Sequence, residues 1–528
     1  MTFGSSQKLS ALSGTAADHD DGIVPNRDIW LDKPKPGTDD RESWLSFKNQ
    51  VISMAQKLGL KGWELLPLGN GDAITVEQIT DALTNFIYVV TPTAVVVDEH
   101  ECSQRPQAVL LRIYGRHVEH LIDRESEFRV LRRLAGKELG PRLLGTFRNG
   151  RIEEYFEAAI ALRPLDLCEP KASRRIARCL RELHDGIGLL PCERQDGPGV
   201  WKNWDQWLEK ATEVATFVDN EAEKKTITSA SHAWKTNGYV CGTTWTQFIE
   251  AVAKYRAYLN AAHGGEADMS KRLVLAHNDV HASNILRMQS QKDVSPLVRA
   301  DQAGGRMMLI DYEYAGPNTR GYEFANHFRE WTYDSHDPVC YLTRYPTREE
   351  QRRFIQAYLD HRPRCFNDDP TSPSDPVKNC PSSGSVGRAL LEPTFSLIPG
   401  EPVTINARPC LVECGAVECE REGRVDRKVD ELLEETRLWR PANNAHWVAW
   451  AMVQARIPGL INESDGRTSE GSTLEEAEQG GGTDNKFDFL RYAQEHALVF
   501  WGDMVQMGLV DATILPDALC ARLRIVPN

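Results

Sequence analysis

The sequence predicts an α+β fold, and three observations support this prediction. Residues 86–90 and Val109–Tyr114 are runs rich in β-branched and aromatic side chains, which are typical of strands. Further along, apolar residues recur at the spacing of one helix face, as in Ile176, Cys179, Leu180 and Leu183. The length of 528 residues fits three or four domains, or one large two-lobed protein.

The remaining elements follow from the same periodicities. Between residues 42 and about 66, apolar side chains recur at helical spacing, which predicts a helix before the two strands. A second helix is expected just before Pro141, because three apolar residues share one face: Phe128, Leu131 and Ala135. Ser173 is the expected N-cap of the next helix, and Gly186 its expected end.

Changes in composition divide the chain. Residues 1–40 are polar and rich in Gly, Ser and Asp, which predicts a disordered tail. Residues 366–440 are rich in Pro, Ser, Gly and Glu, and residues 462–486 contain seven acids and two bases. Both are expected to be surface insertions, because apolar helical sequence resumes after each. The predicted domains are therefore 41–160 and 161–528, the second carrying both insertions.

The composition excludes a wholly disordered chain. Hydrophobic residues make up 41% of the sequence, with 13 Trp, which is enough for a sizeable core. There are 62 Lys and Arg against 76 Asp and Glu, and the net charge of −14 argues against nucleic acid or an anionic membrane as the partner.

The sequence predicts a cytoplasmic protein. No apolar run approaches the roughly 18 residues that a membrane span needs. Residues 1–20 lack the basic start and apolar stretch of a secretory signal. The 12 Cys are scattered, which favours free thiols in a reducing compartment. The one cluster, Cys410, Cys414 and Cys419, matches no common zinc site.

Two segments carry the residues of chemical interest. Asp279 follows the apolar run 273–276, and Asn284 comes five residues later. Asp311 follows a second apolar run, 307–310. Each residue alone could simply cap a turn. Together, Asp, Asn and Asp occur in the order used by kinase-like phosphotransferases, in which the first Asp accepts the hydroxyl proton and the other two residues hold magnesium.

The segment after the second run makes this relation specific. Residues 311–331 read DYEYAGPNTRGYEFANHFREW, which resembles the signature of the choline/ethanolamine kinase family. Residues 277–284, HNDVHASN, resemble the motif shared with aminoglycoside phosphotransferases. The resemblance covers roughly residues 60–365 and 441–515, and the two insertions suggest a fungal-type branch. It implies a protein-kinase-like fold with a small β-rich N-lobe, a larger, mainly helical C-lobe and ATP in the cleft.

The resemblance also implies site residues. Asp279 would be the catalytic base, with Asn284 and Asp311 as magnesium ligands. Arg112 would reach the ATP phosphates, anchored by Glu125 or Glu127, between which the sequence does not decide. A strand arginine facing solvent is the alternative for Arg112.

The resemblance implies further ATP contacts in a turn and in the hinge. Thr84 and Asn85 would supply donors to phosphate from the turn between the first two strands, and Glu154 and Phe156 fall where the lobe-connecting hinge binds adenine. The sequence departs from the family pattern at Asp81, where the family usually has Gly. It departs again in the catalytic loop, at His281 and Ser283.

The alcohol site would be an aromatic cage. A quaternary ammonium such as that of choline has no N–H to donate, so aromatic faces and a carboxylate must bind it. Trp447 and Trp450 share a helix face, for which ordinary core packing is the alternative. By resemblance both line the choline site, together with Tyr314, Tyr492 and the acid Glu330. Ser335 stands where some members have a further tyrosine.

The resemblance implies a magnesium- and ATP-dependent kinase making phosphocholine, the first step of the CDP-choline route to phosphatidylcholine. Ethanolamine kinase or dual specificity is the nearest alternative, and another small alcohol is a more distant one. A kinase-like scaffold without catalysis is the alternative from a different class, kept open by Asp81 and Ser283. The oligomeric state stays open, with a homodimer expected from the family.

Overall fold

The computed structural model describes residues 24–32, 41–79, 85–93, 105–115, 121–157, 159–224, 238–288, 306–332, 344–363, 410–455, 457, 460 and 487–527, with the backbone alone over 410–422. The chain forms two compact units, Met1–Ala158 and Ala159–Asn528. Thr84, Asp81 and Ser335 lie outside the described residues, as does the predicted insertion 462–486.

The described residues of the first unit form a six-stranded sheet and two α-helices. In chain order its elements are β1 (Asn26–Arg27), α1 (Arg41–Lys57), β2 (Ile74–Ile79), β3 (Asn85–Pro92), β4 (Val109–Tyr114), α2 (Arg124–Ala135), β5 (Leu143–Phe147) and β6 (Gly150–Glu154). The strand order is β1-β5-β6-β4-β3-β2, antiparallel except for the parallel pair β1 and β5. Both predicted strands are present, as β3 and β4.

The apolar face of α1 and one face of the sheet form the core of this unit. Phe47 of α1 lies 5.4 Å, ring to ring, from Tyr88 of β3. The predicted helix over 42–66 is wrong at its C-terminal end, because α1 stops at Lys57 and Gly59 adopts a left-handed φ of 72°. A glycine in this conformation is a common way to end a helix.

The segment 24–32 corrects the predicted disordered tail. β1 pairs in parallel with Thr146 and Phe147 of β5. Leu31 is buried, and its backbone N–H and C=O both bond to the side-chain amide of Asn149 at 2.9 Å. This part of the tail therefore belongs to the first unit. It is anchored by the buried side chain of Leu31 and by the amide of Asn149, neither of which the composition of residues 1–40 reveals.

The second unit is mainly helical. Its first half contains β7 (Ala159–Ala161), α3 (Pro164–Leu167), α4 (Pro170–Gly186), α5 (Pro191–Gln195), α6 (Gly199–Glu223), α7 (Trp245–Ala262), α8 (Glu266–Arg272) and β8 (Leu273–Ala276). Its second half contains β9 (Ile285–Met288), β10 (Met307–Leu309), β11 (Gly316–Thr319), α9 (Arg320–Glu330), α10 (Arg348–Asp360), α11 (Cys410–Gln454), α12 (Phe489–Gln506) and α13 (Asp517–Cys520). Its strands form two small antiparallel sheets, β10-β9-β7 and β11-β8.

Two sequence predictions are corrected in this unit. Ser173 lies inside α4, which begins with Glu169 as N-cap and Pro170 at its first position, a site where proline is favoured because no N–H is needed. The segment 366–440, expected to be a surface insertion, ends in helix from Cys410, and Leu433 and Trp439 are buried. The C-terminal part of that segment is therefore core.

Helix α11 is long and contains Pro441 in its interior. Proline removes one backbone hydrogen bond there, which buried packing around Trp439 and Ala442 must offset. Among the helices formed by the described residues, none is long and apolar enough to cross a membrane.

Candidate active site

The predicted catalytic loop, 277–284, leaves the buried strand β8 and is held by a side chain from α9. The backbone N–H groups of His277 and Asn278 donate to the two carboxylate oxygens of Glu323, at 2.5 and 3.0 Å. Glu323 is fully buried and is also 3.3 Å from Nε2 of His184. One carboxylate thus fixes the backbone immediately before Asp279.

Asn278 makes the turn that presents Asp279. Its φ of 68° is left-handed, a conformation that costs energy for residues other than glycine but that asparagine tolerates best. Its side chain donates from Nδ2 to the carbonyl of Tyr314 and accepts from Nδ2 of Asn318, both at 2.8 Å. These bonds, with that to Glu323, stabilise the strained turn.

Two further side chains of α9 hold the loop after Asp279. Asn326 accepts from the backbone N–H of Val280 at 2.9 Å, and Nδ1 of His327 lies 3.1 Å from the Val280 carbonyl. Both side chains are fully buried. Burial lowers the pKa of His327 to about 4, so the ring is neutral and can donate from Nδ1.

The β9–β10 hairpin brings the two predicted magnesium ligands together. Leu309 pairs with Ile285, and the backbone N–H of Ile310 donates to the carbonyl of Asn284 at 3.0 Å. Asp311 follows directly, with a left-handed φ of 66°. Asn284 also turns its Nδ2 toward Asp279, 3.0 Å from the backbone oxygen and 3.2 Å from Oδ2. The predicted base and both predicted ligands therefore lie in one place.

His281 adds a positive charge to this group of acids. Its Nε2 lies 3.5 Å from Oδ2 of Asp279. Burial alone would lower the pKa of His281, but the negative charges of Asp279, Glu330 and Asp311 outweigh burial and raise it to about 9. At neutral pH the ring is therefore an imidazolium beside the predicted base.

Glu330, the last residue of α9, is within electrostatic range of the same loop. Burial, and to a lesser extent the charge of Asp279, raise the pKa of Glu330 against the opposing effects of His281 and Arg329, to about 7. A cation bound nearby would favour the ionised carboxylate and so reverse much of this shift.

The predicted aromatic residues form one cluster. Trp447 and Trp450 of α11 are 5.4 Å apart, ring to ring. Tyr314 lies 5.8 Å from Trp447, and Tyr492 of α12 lies 6.0 Å from Trp450. All four residues are at most 8% exposed, so the cluster presents little of its surface to water.

A hydrogen bond orients Tyr314 within the cluster. Nε1 of Trp450 donates to its hydroxyl oxygen at 2.8 Å. Burial raises the pKa of Tyr314 well above its ordinary value, so the hydroxyl keeps its proton and remains able to donate. Trp447, by contrast, has no hydrogen-bond partner for its buried Nε1 among the described residues.

Sequence reasoning missed several residues of this site. Phe487 and Phe489 extend the aromatic cluster, at 5.4 Å from Tyr492 and 5.6 Å from Trp450 respectively. On α9, the loop-holding side chains share one face with Glu330 at a spacing of i, i+3, i+4 and i+7. A polar stripe at this spacing, inside a helix that also carries Tyr322, Phe324 and Phe328, is the signal that could have identified the buried residues Glu323, Asn326 and His327.

The predicted nucleotide residues of the first unit lie on its sheet. Arg112 is buried at the centre of β4, with Nη2 3.9 Å from the carboxylate of Glu153. Glu127 was one of the two candidates to anchor Arg112, but it pairs instead with Arg151 at 2.6 Å. Glu125, the other candidate, is exposed.

The predicted adenine hinge follows β6. Glu154 ends the strand, where its carboxylate pairs with Arg142 at 3.1 Å and its backbone N–H donates to the Arg142 carbonyl. Phe156, two residues later, is half-buried. Asn85, the described part of the predicted phosphate turn, is the first residue of β3 and is buried.

The fold and these residues define a kinase-like phosphotransferase. A solved structure with this architecture, an ethanolamine kinase from Plasmodium vivax, superposes with a TM-score of 0.50 at 18% identity, over 90% of this chain and 94% of that one. At this identity the likeness concerns the fold alone.

Sequence comparison gives the family. Residues 76–501 match the model of the choline/ethanolamine kinase family, and the chain belongs to this family. Two relatives come from Saccharomyces cerevisiae. A choline kinase is 25% identical, over 88% of this chain and 76% of the relative, and an ethanolamine kinase is 26% identical, over 88% and 77%. Membership in a kinase family implies ATP as co-substrate.

Proposed function

We propose that the protein transfers the γ-phosphoryl group of ATP to the hydroxyl of choline, giving phosphocholine, the first intermediate of the CDP-choline route. The aromatic cluster carries this proposal. Tyr314, Trp447, Trp450 and Tyr492 offer ring faces for a quaternary ammonium, to which no hydrogen bond can be made. The yeast choline kinase among the relatives supports the same substrate.

Asp279 would accept the proton of the attacking hydroxyl. It is the acid at the tip of a loop fixed by four backbone bonds to α9, so an alcohol beside it would be oriented at little entropic cost. The His281 imidazolium would oppose the negative charge that gathers there as the triphosphate approaches.

Asn284 and Asp311 fit magnesium. They supply hard oxygen donors, and magnesium in kinases commonly takes one or two carboxylates together with substrate phosphates. Because Nδ2 of Asn284 faces Asp279, its Oδ1 is the end left to coordinate a metal. The ion would neutralise charge on the ATP phosphates. In the first unit, Arg112 and Asn85 would contact phosphate oxygens of ATP, and Glu154 and Phe156 would border the adenine.

A methylation series tests the substrate. Release of ADP is measured with magnesium, ATP and one acceptor at a time: choline, its dimethyl and monomethyl analogues, ethanolamine, or none. We expect kcat/KM to fall with each methyl group removed, because each one contacts an aromatic face. A rise along the series would make ethanolamine the substrate, as the second yeast relative suggests. If folded protein released no more ADP with an acceptor than without one, the non-catalytic kinase-like scaffold would be favoured.

The variant Asp279→Ala tests the base. The backbone oxygen of Asp279 still accepts from Asn284 in this variant, so the loop is retained. We expect turnover to fall at least about a thousandfold, with ATP binding by dialysis unchanged. Asp268→Ala, at an exposed position on α8, is the matched control. Near-normal turnover by Asp279→Ala would show that another group is the base.

A homodimer stays a prediction that sedimentation would check.

A further inference from the structure

The first unit contains a continuous series of hydrogen-bonded and charged side chains that connects the two residues proposed to contact ATP phosphate. The series crosses from β3 through α2 to β6 and β4. In order, its members are Asn85, Arg124, Glu127, Arg151, Glu153 and Arg112.

Arg124, the first residue of α2, makes the link to the phosphate turn. Its Nη2 donates to Oδ1 of Asn85 at 3.0 Å, and its Nη1 donates to Oε2 of Glu127 at 2.9 Å. The guanidinium also lies over the ring of Tyr114, 4.2 Å from its centre. The two hydrogen bonds restrict movement of the Arg124 guanidinium within its plane, and the Tyr114 ring restricts movement out of it.

Glu127 gives Arg124 a rigid support. The carboxylate is buried and accepts two bonds from Arg151, at 2.6 and 3.0 Å. Arg151 is itself fully buried and pairs with Glu153, the partner of Arg112. Buried charges held this way have little freedom, since moving one would leave another unpaired.

We propose that Arg124 is a positioning residue for the nucleotide, holding the Asn85 amide in the orientation that binds a phosphate oxygen. A carboxamide whose oxygen is bound by a cation keeps its NH₂ end as the donor to an anion. Arg124 therefore selects the useful one of the two amide orientations. This inference rests on the proposed function, because it requires Asn85 to face ATP.

The test is a double-mutant cycle. The variants are Asn85→Ala, Arg124→Met, the double variant and Arg124→Lys, with Arg132→Met, at an exposed position on the same helix, as matched control. KM for ATP, KM for choline, kcat and direct binding of ATP are measured for each. A merely structural role would lower thermal stability without separating the two KM values.

We expect Arg124→Met to raise KM for ATP at least about tenfold, the usual effect of losing one hydrogen bond to a charged group. KM for choline should stay within about twofold, and the double variant should be no worse than the poorer single variant. Arg124→Lys should recover only part of the loss, because a lysine ammonium cannot reproduce the two parallel N–H donors of a guanidinium. If Arg124→Met folds poorly, the same cycle is run with Arg124→Lys.

Three outcomes would overturn the inference: an unchanged KM for ATP, full recovery with lysine, or additive effects with Asn85→Ala. Failure of the proposed function looks different, because wild-type protein would then release no ADP in response to an acceptor. An active wild-type enzyme whose Arg124 variants keep their nucleotide KM contradicts this inference alone.

Discussion

Replacing Glu323 by glutamine should cripple turnover although Glu323 need not touch any substrate. The carboxylate accepts from two backbone N–H groups and lies beside His184, all in a fully buried setting. Glutamine has the same shape but one NH₂ in place of an oxygen. At least one backbone N–H would then face another donor, which costs about 3–5 kcal/mol in a buried site.

The structure has two ways to respond to this cost. If the loop shifts by about 1 Å to separate the donors, Asp279 moves with it and kcat falls about a hundredfold. If the loop stays in place, the cost appears as lost stability of the folded protein. We expect mostly the first, because the loop is short and the helix α9 is packed on every side.

The assay is steady-state kinetics with choline and ATP, together with thermal unfolding. KM for ATP should change less than kcat, since Arg112 and Asn85, the proposed phosphate contacts of the first unit, lie outside the loop, whereas the proposed magnesium ligand Asn284 moves with Asp279. Glu349→Gln, at an exposed site in the first turn of α10, is the matched control. A Glu323→Gln enzyme with wild-type kcat and wild-type melting temperature would refute the idea that this carboxylate holds the loop.

Two further predictions concern the alcohol site. The Glu330 carboxyl, with a pKa of about 7, is neutral below that pH and charged above it, so KM for choline should fall about tenfold from pH 6 to pH 8. Kinetics of Glu330→Gln should show a flat profile; a slope that persisted would assign it to another group. Trp450→Phe keeps an aromatic face, although a smaller one, but loses the bond to Tyr314, so KM for choline should rise about two- to tenfold. An unchanged KM would mean that the orientation of Tyr314 is immaterial.

The relation among Asp279, Asn284 and Asp311 could be predicted because each lies beside an apolar strand. Strands can be predicted from local composition, and a polar residue that follows a strand lies at the edge of its sheet. The aromatic cluster was predictable once the family resemblance showed which positions of this sequence correspond to the family's alcohol site. The Asp279, Asn284 and Asp311 pattern is a feature of local sequence, whereas the aromatic cluster needed the family resemblance.

The supporting residues could not be predicted in this way. Glu323 accepts from residues 46 and 45 positions earlier in the chain, and no local sequence pattern predicts that contact. The choice of Glu127 for Arg151, rather than for Arg112, depends on which arginine of neighbouring strands faces α2. Leu31 shows the same limit, because the side-chain amide that bonds to its backbone, that of Asn149, lies 118 positions later in the chain.

Under the proposed function, helix α9 connects the loop that presents Asp279 with the recognition of the alcohol by Glu330. One buried face carries the side chains that hold the catalytic loop and, one turn later, Glu330. The helix cannot slide or rotate to suit a smaller amine without carrying Asp279 away from its place. Adaptation of such an enzyme to a new alcohol is therefore confined to exchange of side chains on α11 and α12. Lineages that differ in their alcohol should vary at the positions of Trp447, Trp450 and Phe487 while α9 stays constant.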